Sequence, residues 1–245
     1  MRAMILAAGL GTRLRPLTDH RPKALVEIDG RTLLEITLRR LRSVGISEVI
    51  VNAHHFADAI ADYLGLHDFG MRVELSREQE LLDTGGGLKK AAWFFLEQGT
   101  DEPFLVHNVD VLSSINLPRL LEFHRERCPL ATLAVQGREG SRQLLFDDGL
   151  QLYGRTTGAG DAEIARPATG TQTLAFCGIH VISRHIFELM SEQGAFSIVD
   201  LYLRLAKQGE RILAFRADES YWRDLGTPEK LRDAALDIQQ GHVSI

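Results

Sequence analysis

Met4-Ile5-Leu6-Ala7-Ala8-Gly9-Leu10-Gly11-Thr12-Arg13-Leu14-Arg15-Pro16-Leu17 stands at the head of the chain, and Arg21-Pro22-Lys23-Ala24-Leu25 follows closely. An apolar run of strand length empties here into a loop carrying two glycines, a threonine and several cations. Glycines let a backbone come close enough to an anion for its N–H groups to donate to phosphate oxygens, while arginine and lysine supply charge. Residues 1–26 hold five Lys/Arg against one acid, Asp19, whereas the whole 245-residue chain has a net charge of −5. Positive charge is concentrated in one place, which suits an anion site and not a generally basic surface.

The two commonest nucleotide loops are excluded by the residues themselves. A dinucleotide fingerprint needs a third glycine opening a helix, but Leu14 stands there and Pro16 opposes an immediate helix. A P-loop needs Gly-Lys-Ser/Thr, and the chain reads Gly11-Thr12-Arg13. The plain alternative is a glycine-rich turn with solvated arginines. Arg13, Arg15 and Pro22-Lys23 together weigh against it.

A hydrophobic share of 44% with 25% charged residues is that of an ordinary soluble protein, and this length suits one α/β domain. The acidic balance argues against nucleic acid as a partner. No apolar run approaches the ~18 residues of a membrane span, and Met1–Ala8 is too short for a signal peptide. Cys128 and Cys177 lie far apart without CxxC spacing. The expectation is a cytoplasmic, reduced protein with no disulfide framework and no membrane partner.

Strand-length apolar runs alternate with stretches of helical period, which predicts βα units and a mainly parallel sheet. Strands are expected at about Ala3–Ala8, Glu48–Asn52, Arg72–Ser76, Pro103–His107, Leu130–Val135, Thr171–Ile182 and Arg211–Ala217. Helices are expected over Thr32–Val44, around Phe56–Leu64, from Gly87 to Leu96, around Leu117–His124, over Ser197–Lys207 and over Pro228–Gln239. Leu144–Tyr153 reads as an antiparallel hairpin about an Asp-Gly turn, and Gly154–Gly170 as a mobile loop. There is no internal repeat.

Asp110 follows an apolar strand at its carboxyl end, where open α/β sheets bind ligands and a carboxylate can hold Mg²⁺; a helix cap explains it equally well. Asp83-Thr84-Gly85-Gly86-Gly87 leaves backbone bare of side chains, so a flat ring could lie against it, or it is simply a permissive turn. In Tyr221–Glu229, Thr227 as N-cap and Pro228 at the first helical position make an ordinary helix start and leave Asp224 without a structural task. Asp110 and Asp224 could clamp divalent ions if the sheet brings them together. His54, His55, His107 and His180 lack metal-ligand spacing and read as structural. No Gly-x-Ser-x-Gly elbow offers acyl transfer.

Together these segments resemble the sugar-1-phosphate nucleotidyltransferases. Leu6–Thr18 with Pro22-Lys23 matches that family's opening signature. Thr84–Gly87, Asp110, Gly178–Ile182 and Trp222-x-Asp224-x-Gly226-Thr227-Pro228-Glu229 match later features in order. The run Asp83–Leu88 looks most like the uridylyltransferases acting on N-acetylmuramate 1-phosphate. One departure is Val109, where the family has glycine, and it could narrow the pocket. The resemblance implies a single Rossmann-like, three-layer α/β domain with a mostly parallel mixed sheet and a small antiparallel hairpin. Residues 1–112 would form its nucleotide-binding part and 113–245 its sugar-binding part. It implies a nucleoside triphosphate, UTP favoured, and a sugar 1-phosphate as substrates, with Mg²⁺ as cofactor and a homodimer as the family's assembly. Ala8, Gly9, Gly11, Thr12, Arg13, Gly85 and Gly86 would bind nucleotide, with Arg13 and Lys23 catalytic. Asn108 and Gly178 would touch the sugar, Asp110 and Asp224 would hold metal, and Arg155 or Arg166 would meet the sugar phosphate. Competing expectations are a guanylyltransferase for mannose or heptose phosphates, a cytidylyltransferase for phosphocholine, and a non-catalytic nucleotide-sugar sensor.

Overall fold

In a computed structural model, which describes residues 1–97, 99, 101–140, 143–157 and 161–245, the opening apolar run becomes strand β1 (Arg2–Leu6), with Ala3, Met4 and Ile5 fully buried. A small ribbon of β2 (Glu27–Ile28) and β3 (Arg31–Thr32) leads into helix α1 (Leu33–Ser43). The Thr32 hydroxyl caps α1 by accepting the Glu35 N–H at 3.0 Å, and Gly45, at φ 83°, lets the chain leave it. Next come β4 (Glu48–Ala53), α2 (Ala57–Leu66), β5 (Arg72–Arg77), α3 (Asp83–Lys90), α4 (Ala92–Leu96) and β6 (Phe104–Asn108). The short β7 (Val111–Ser113), α5 (Leu117–Arg127) and β8 (Ala131–Gln136) follow. The remainder is β9 (Leu144–Phe146), β10 (Leu152–Thr156), β11 (Ala162–Ile164), β12 (Gln172–Ile182), α6 (Ile186–Leu189), α7 (Ile198–Lys207), β13 (Ile212–Arg216), β14 (Trp222–Asp224) and α8 (Pro228–Gln239).

Strands β5-β4-β1-β6 lie side by side and parallel, so their carboxyl ends share one edge. The long β12 runs antiparallel between β6 and β8, and its amino-terminal half carries the antiparallel β9-β10-β11. Being buried on both faces, the central strands read as continuous apolar runs. Alternate residues feed two cores. Ala3, Ile5, Val49 and Val51 pack with α1, α5 and α8, whereas Met4, Ile50 and Val106 pack with α3, α4 and α7. A mixed sheet between two helical layers results. Among the described residues no helix is long and apolar enough to cross a membrane.

Two expectations need correction. Gly154–Gly170 is not simply a loop, because Gly154 pairs with Ile164 and Thr156 with Ala162 in a hairpin; residues 158–160 lie outside the described residues. A Cβ at Gly154 would sit 2.6 Å from the Glu163 carbonyl, so this glycine serves close strand approach. Thr84–Gly87 is not a turn ahead of a helix but lies within α3 itself.

Candidate active site

A cavity of about 570 Å³ opens at the carboxyl edge of β1, β4 and β6, lined by Leu6–Gly9, Lys23, Asn52, Asn108–Asp110 and the start of α3. The loop leaving β1 is fixed from several sides. The Val109 N–H donates to the Leu6 carbonyl at 3.1 Å, and the Ala7 N–H to Asn52 Oδ1 at 2.7 Å. Gly11 adopts φ 64°, where a Cβ would fall 3.0 Å from Thr18 and 3.1 Å from the Lys23 side chain. Thr18 Oγ1 donates to the Gly11 carbonyl at 2.8 Å. Leu14 is driven wholly into the core and pins a 3-10 turn over Thr12–Leu14, while Arg13 beside it stays exposed. Ala8 and Gly9 thus line the cavity, and Gly11, Thr12 and Arg13 continue the same loop beyond its lining.

The second cation, Lys23, starts another 3-10 turn after Pro22 and forms an ion pair with Asp110. Across the site, β14 pairs antiparallel with β7, setting Asp224 opposite Val111, and the Leu225 N–H donates to the Asp110 carbonyl at 2.8 Å. The two aspartates, 114 residues apart in sequence, are therefore neighbours. Asp224 is itself paired with Lys230, and the Arg13 guanidinium reaches the same segment: a Cβ on Gly226 would lie 2.8 Å from Arg13 Nη2 and 2.9 Å from Asp224 Oδ1. Burial alone would raise the Asp224 carboxyl, but Lys230, the Gly226 N–H and Arg13 outweigh it and hold it below the usual carboxylate range.

Among the described residues no cluster of three or more His, Cys, Asp or Glu could cage an ion. Asp110 and Asp224, whose backbones are held side by side on a partly open edge, are the donor type of a hard divalent cation such as Mg²⁺, which takes one or two carboxylates and completes its shell with phosphate oxygens and water.

Asn108 lies against Gly178, whose φ of 71° and lack of Cβ admit it: a Cβ there would be 2.7 Å from Asn108 Nδ2. Asn108 lines the cavity with Gly178 packed behind it, and Val109 adds a buried side chain to the lining. The wall here, however, is formed by Leu81 ahead of α3, by Asp83 and Thr84 at its start, and by Ala195. The Cβ faces of Gly85 and Gly86 are filled by Phe196 and the Gly194 carbonyl, at 2.4 and 2.5 Å from where Cβ atoms would stand. These glycines let α3 pack onto the 194–196 loop, and no ring can lie on that side of them. Arg155 and Arg166 are spent internally. The first pairs with Glu163 and Asp200, the second with Asp147 at 2.6 Å and with backbone carbonyls.

The histidines also stay out of the site. Burial pushes His107 and His180 down to about 3, and each uses Nδ1 internally, on the Asn108 carbonyl and the Tyr202 hydroxyl. Residues that sequence reasoning missed are Asn52, Glu78 and Lys230. Asn52 ends an apolar strand just as Asp110 follows one, and that signal was available. Lys230 carried none beyond lying one turn past Thr227.

Comparison with known proteins gives the family and the fold. The model of the family described as nucleotidyl transferase matches residues 2–144. The chain is 32% identical over 236 residues to N-acetylmuramate alpha-1-phosphate uridylyltransferase of Caulobacter vibrioides, covering 93% of this chain and 92% of that one. It is 28% identical over 241 residues to D-glycero-alpha-D-manno-heptose 1-phosphate guanylyltransferase of Aneurinibacillus thermoaerophilus, covering 98% and 99%. Among solved structures, HddC from Yersinia pseudotuberculosis complexed with GMP-PN superposes with a TM-score of 0.75 at 23% identity, over 97% of this chain and 99% of that one.

Proposed function

Because the chain belongs to the nucleotidyl transferase family and is a sugar-1-phosphate nucleotidyltransferase, we propose that it joins UTP to N-acetylmuramate 1-phosphate or a related hexose 1-phosphate, releasing pyrophosphate. The observation that carries this reading is the Lys23–Asp110 pair in the cavity wall, with the segment that holds Asp224 and meets Arg13 bonded to the Asp110 backbone. The uridylyltransferase among its relatives and the run Asp83-Thr84-Gly85-Gly86-Gly87-Leu88 support UTP and the N-acetylmuramate acceptor.

An oxygen of the sugar phosphate attacks the α-phosphorus, a new P–O bond forms, and the bond to the β-phosphate breaks in line. Such transfer needs positioning and charge neutralisation far more than covalent help. Backbone N–H groups of residues 8–12 cradle the triphosphate. Arg13 compensates the charge gathering on departing pyrophosphate, and Lys23 that on the α-phosphoryl oxygens. Asp110 and Asp224 would hold Mg²⁺, which when bound supplies electrostatic neutralisation of the phosphates. Asn108 and the bare Gly178 meet the sugar, and Val109 limits the space beside it. In this division residues 1–112 serve the nucleotide and 113–245 the sugar.

Guanylyl transfer to a heptose or mannose phosphate is the second reading, favoured by the guanylyltransferase relative matched over nearly its whole length. A pyrophosphate-release screen of UTP, GTP, CTP, dTTP and ATP against N-acetylmuramate, N-acetylglucosamine, glucose, mannose and heptose 1-phosphates separates the two. The largest kcat/KM is expected for UTP with N-acetylmuramate 1-phosphate. Preference for GTP with the mannose or heptose phosphate would overturn the proposed substrates.

A further inference from the structure

Glu78 is 5% exposed, and both its oxygens are engaged. Oε1 accepts from Asn52 Nδ2 at 2.7 Å, and Oε2 accepts the Leu82 N–H at 3.1 Å, immediately before α3. Asn52, 2% exposed, turns its other amide atom to the phosphate side: Oδ1 accepts the Ala7 N–H at 2.7 Å. A single buried chain therefore runs Ala7–Asn52–Glu78–Leu82. One end holds the first residue of the loop after β1, and the other holds the segment from which Leu81, Asp83 and Thr84 line the cavity. Gly87 lets Glu78 and Asn52 fit, since a Cβ there would lie 2.7 Å from both Asn52 Nδ2 and Glu78 Oε1.

We propose that Asn52 and Glu78 are a positioning pair that sets the distance between the triphosphate loop and the α3 wall of the nucleotide pocket. The inference rests on the nucleotide-binding reading of this cavity. Neither residue is assigned contact with reacting atoms. Their effect passes through the Ala7 backbone on one side and the Leu82 backbone on the other, so it falls on nucleotide binding. An amide facing a carboxylate is directional: Asn52 must donate to Glu78 and accept from Ala7, and Glu78 must accept twice.

Exchanging the two functional groups tests this. In Asn52→Asp two carboxylates face each other. In Glu78→Gln one amide N–H is forced against another donor. Each single variant is expected to raise KM for the nucleoside triphosphate about tenfold, the effect of one misplaced buried hydrogen bond, with kcat within about threefold of the parent. In the double variant Asn52→Asp/Glu78→Gln the polarity is reversed and every partner is restored. The introduced glutamine donates to the introduced aspartate and accepts the Leu82 N–H, while that aspartate still accepts the Ala7 N–H. KM for the triphosphate is expected to return to within about threefold of the parent. Melting temperatures of all three variants, measured alongside, separate positioning from folding. Single variants with parental KM, or a double variant no better than the worse single, overturn the inference. Both comparisons use the triphosphate that the parent enzyme turns over, whichever it is. Absence of turnover by the parent with any triphosphate overturns the functional reading instead.

Discussion

Lys23 has two roles to fill, because it neutralises Asp110 in the free protein and is a cation lining the cavity itself. Lys23→Ala is expected to lower kcat by about 10²–10³, the size of a lost transition-state contact of several kcal/mol. Steady-state pyrophosphate release reads this, and near-parental turnover would remove Lys23 from the mechanism. Asp110→Asn should shift the magnesium titration to higher concentration, since one of two carboxylates is lost; an unchanged titration contradicts a metal role. At this scale the sequence was informative about residue identities. Cations after a strand and an aspartate at a strand end are local signals. The Lys23–Asp110 pairing was not legible, because it spans 87 residues. Nor was the Asp224–Lys230 pair, because an aspartate and a lysine flanking an ordinary capped helix start look solvated.

At the scale of elements, α3 shows where sequence reasoning went astray. Three consecutive glycines are poor helix formers and read as a turn. Here tertiary contact overrides propensity, since only residues without Cβ let the helix approach Phe196, Gly194, Asn52 and Glu78. Gly85→Ala would thrust a methyl to within 2.4 Å of the Phe196 ring, and is expected to destabilise by about 1–3 kcal/mol in urea unfolding. Gly65→Ala in α2 meets nothing within 4 Å and should stabilise by about 0.5 kcal/mol. Equal effects at the two sites would contradict the packing account. The strand β7 was not legible, because three residues are too few to show a period. The segment Tyr221–Glu229 reads as a strand running into a helix, as β14 and α8 bear out, but its partner strand was not readable. Yet the pairing of β7 with β14 is what joins Asp110 to Asp224. By contrast, α1, α7 and α8 were legible to within about a residue from their helical period, and α8 also from its cap Thr227 with Pro228 after it.

For the molecule as a whole, alternation of strands and helices made the layered α/β architecture readable, and continuous apolar runs marked the central parallel strands. The reach of β12 across both halves was not readable, since pairing partners far apart leave no local trace. Burial of histidine gives the whole fold an acid sensitivity. His107 and His180 are pushed down to about 3 and His124 to about 4, each mainly by burial. Between about pH 4 and the ordinary histidine value near 6.5 the unfolded chain binds these protons and the folded one does not. Stability is therefore full above that range and falls with pH through it, by about 1.4 kcal/mol per unit for each such histidine. Melting temperature measured from pH 7.5 to 4.5 should fall steadily below about 6.5, ahead of carboxylate titration. A flat profile over that range would contradict the neutral buried state.

The central claim concerns which bond the molecule opens. Phosphorus NMR of the protein with UTP, N-acetylmuramate 1-phosphate and Mg²⁺ reads it directly. The account predicts that the β- and γ-phosphates leave together as free pyrophosphate, in equal amount to a new sugar-linked diphosphate diester. Release of orthophosphate, or bound substrates that never react with this or any other triphosphate and sugar phosphate, would contradict it.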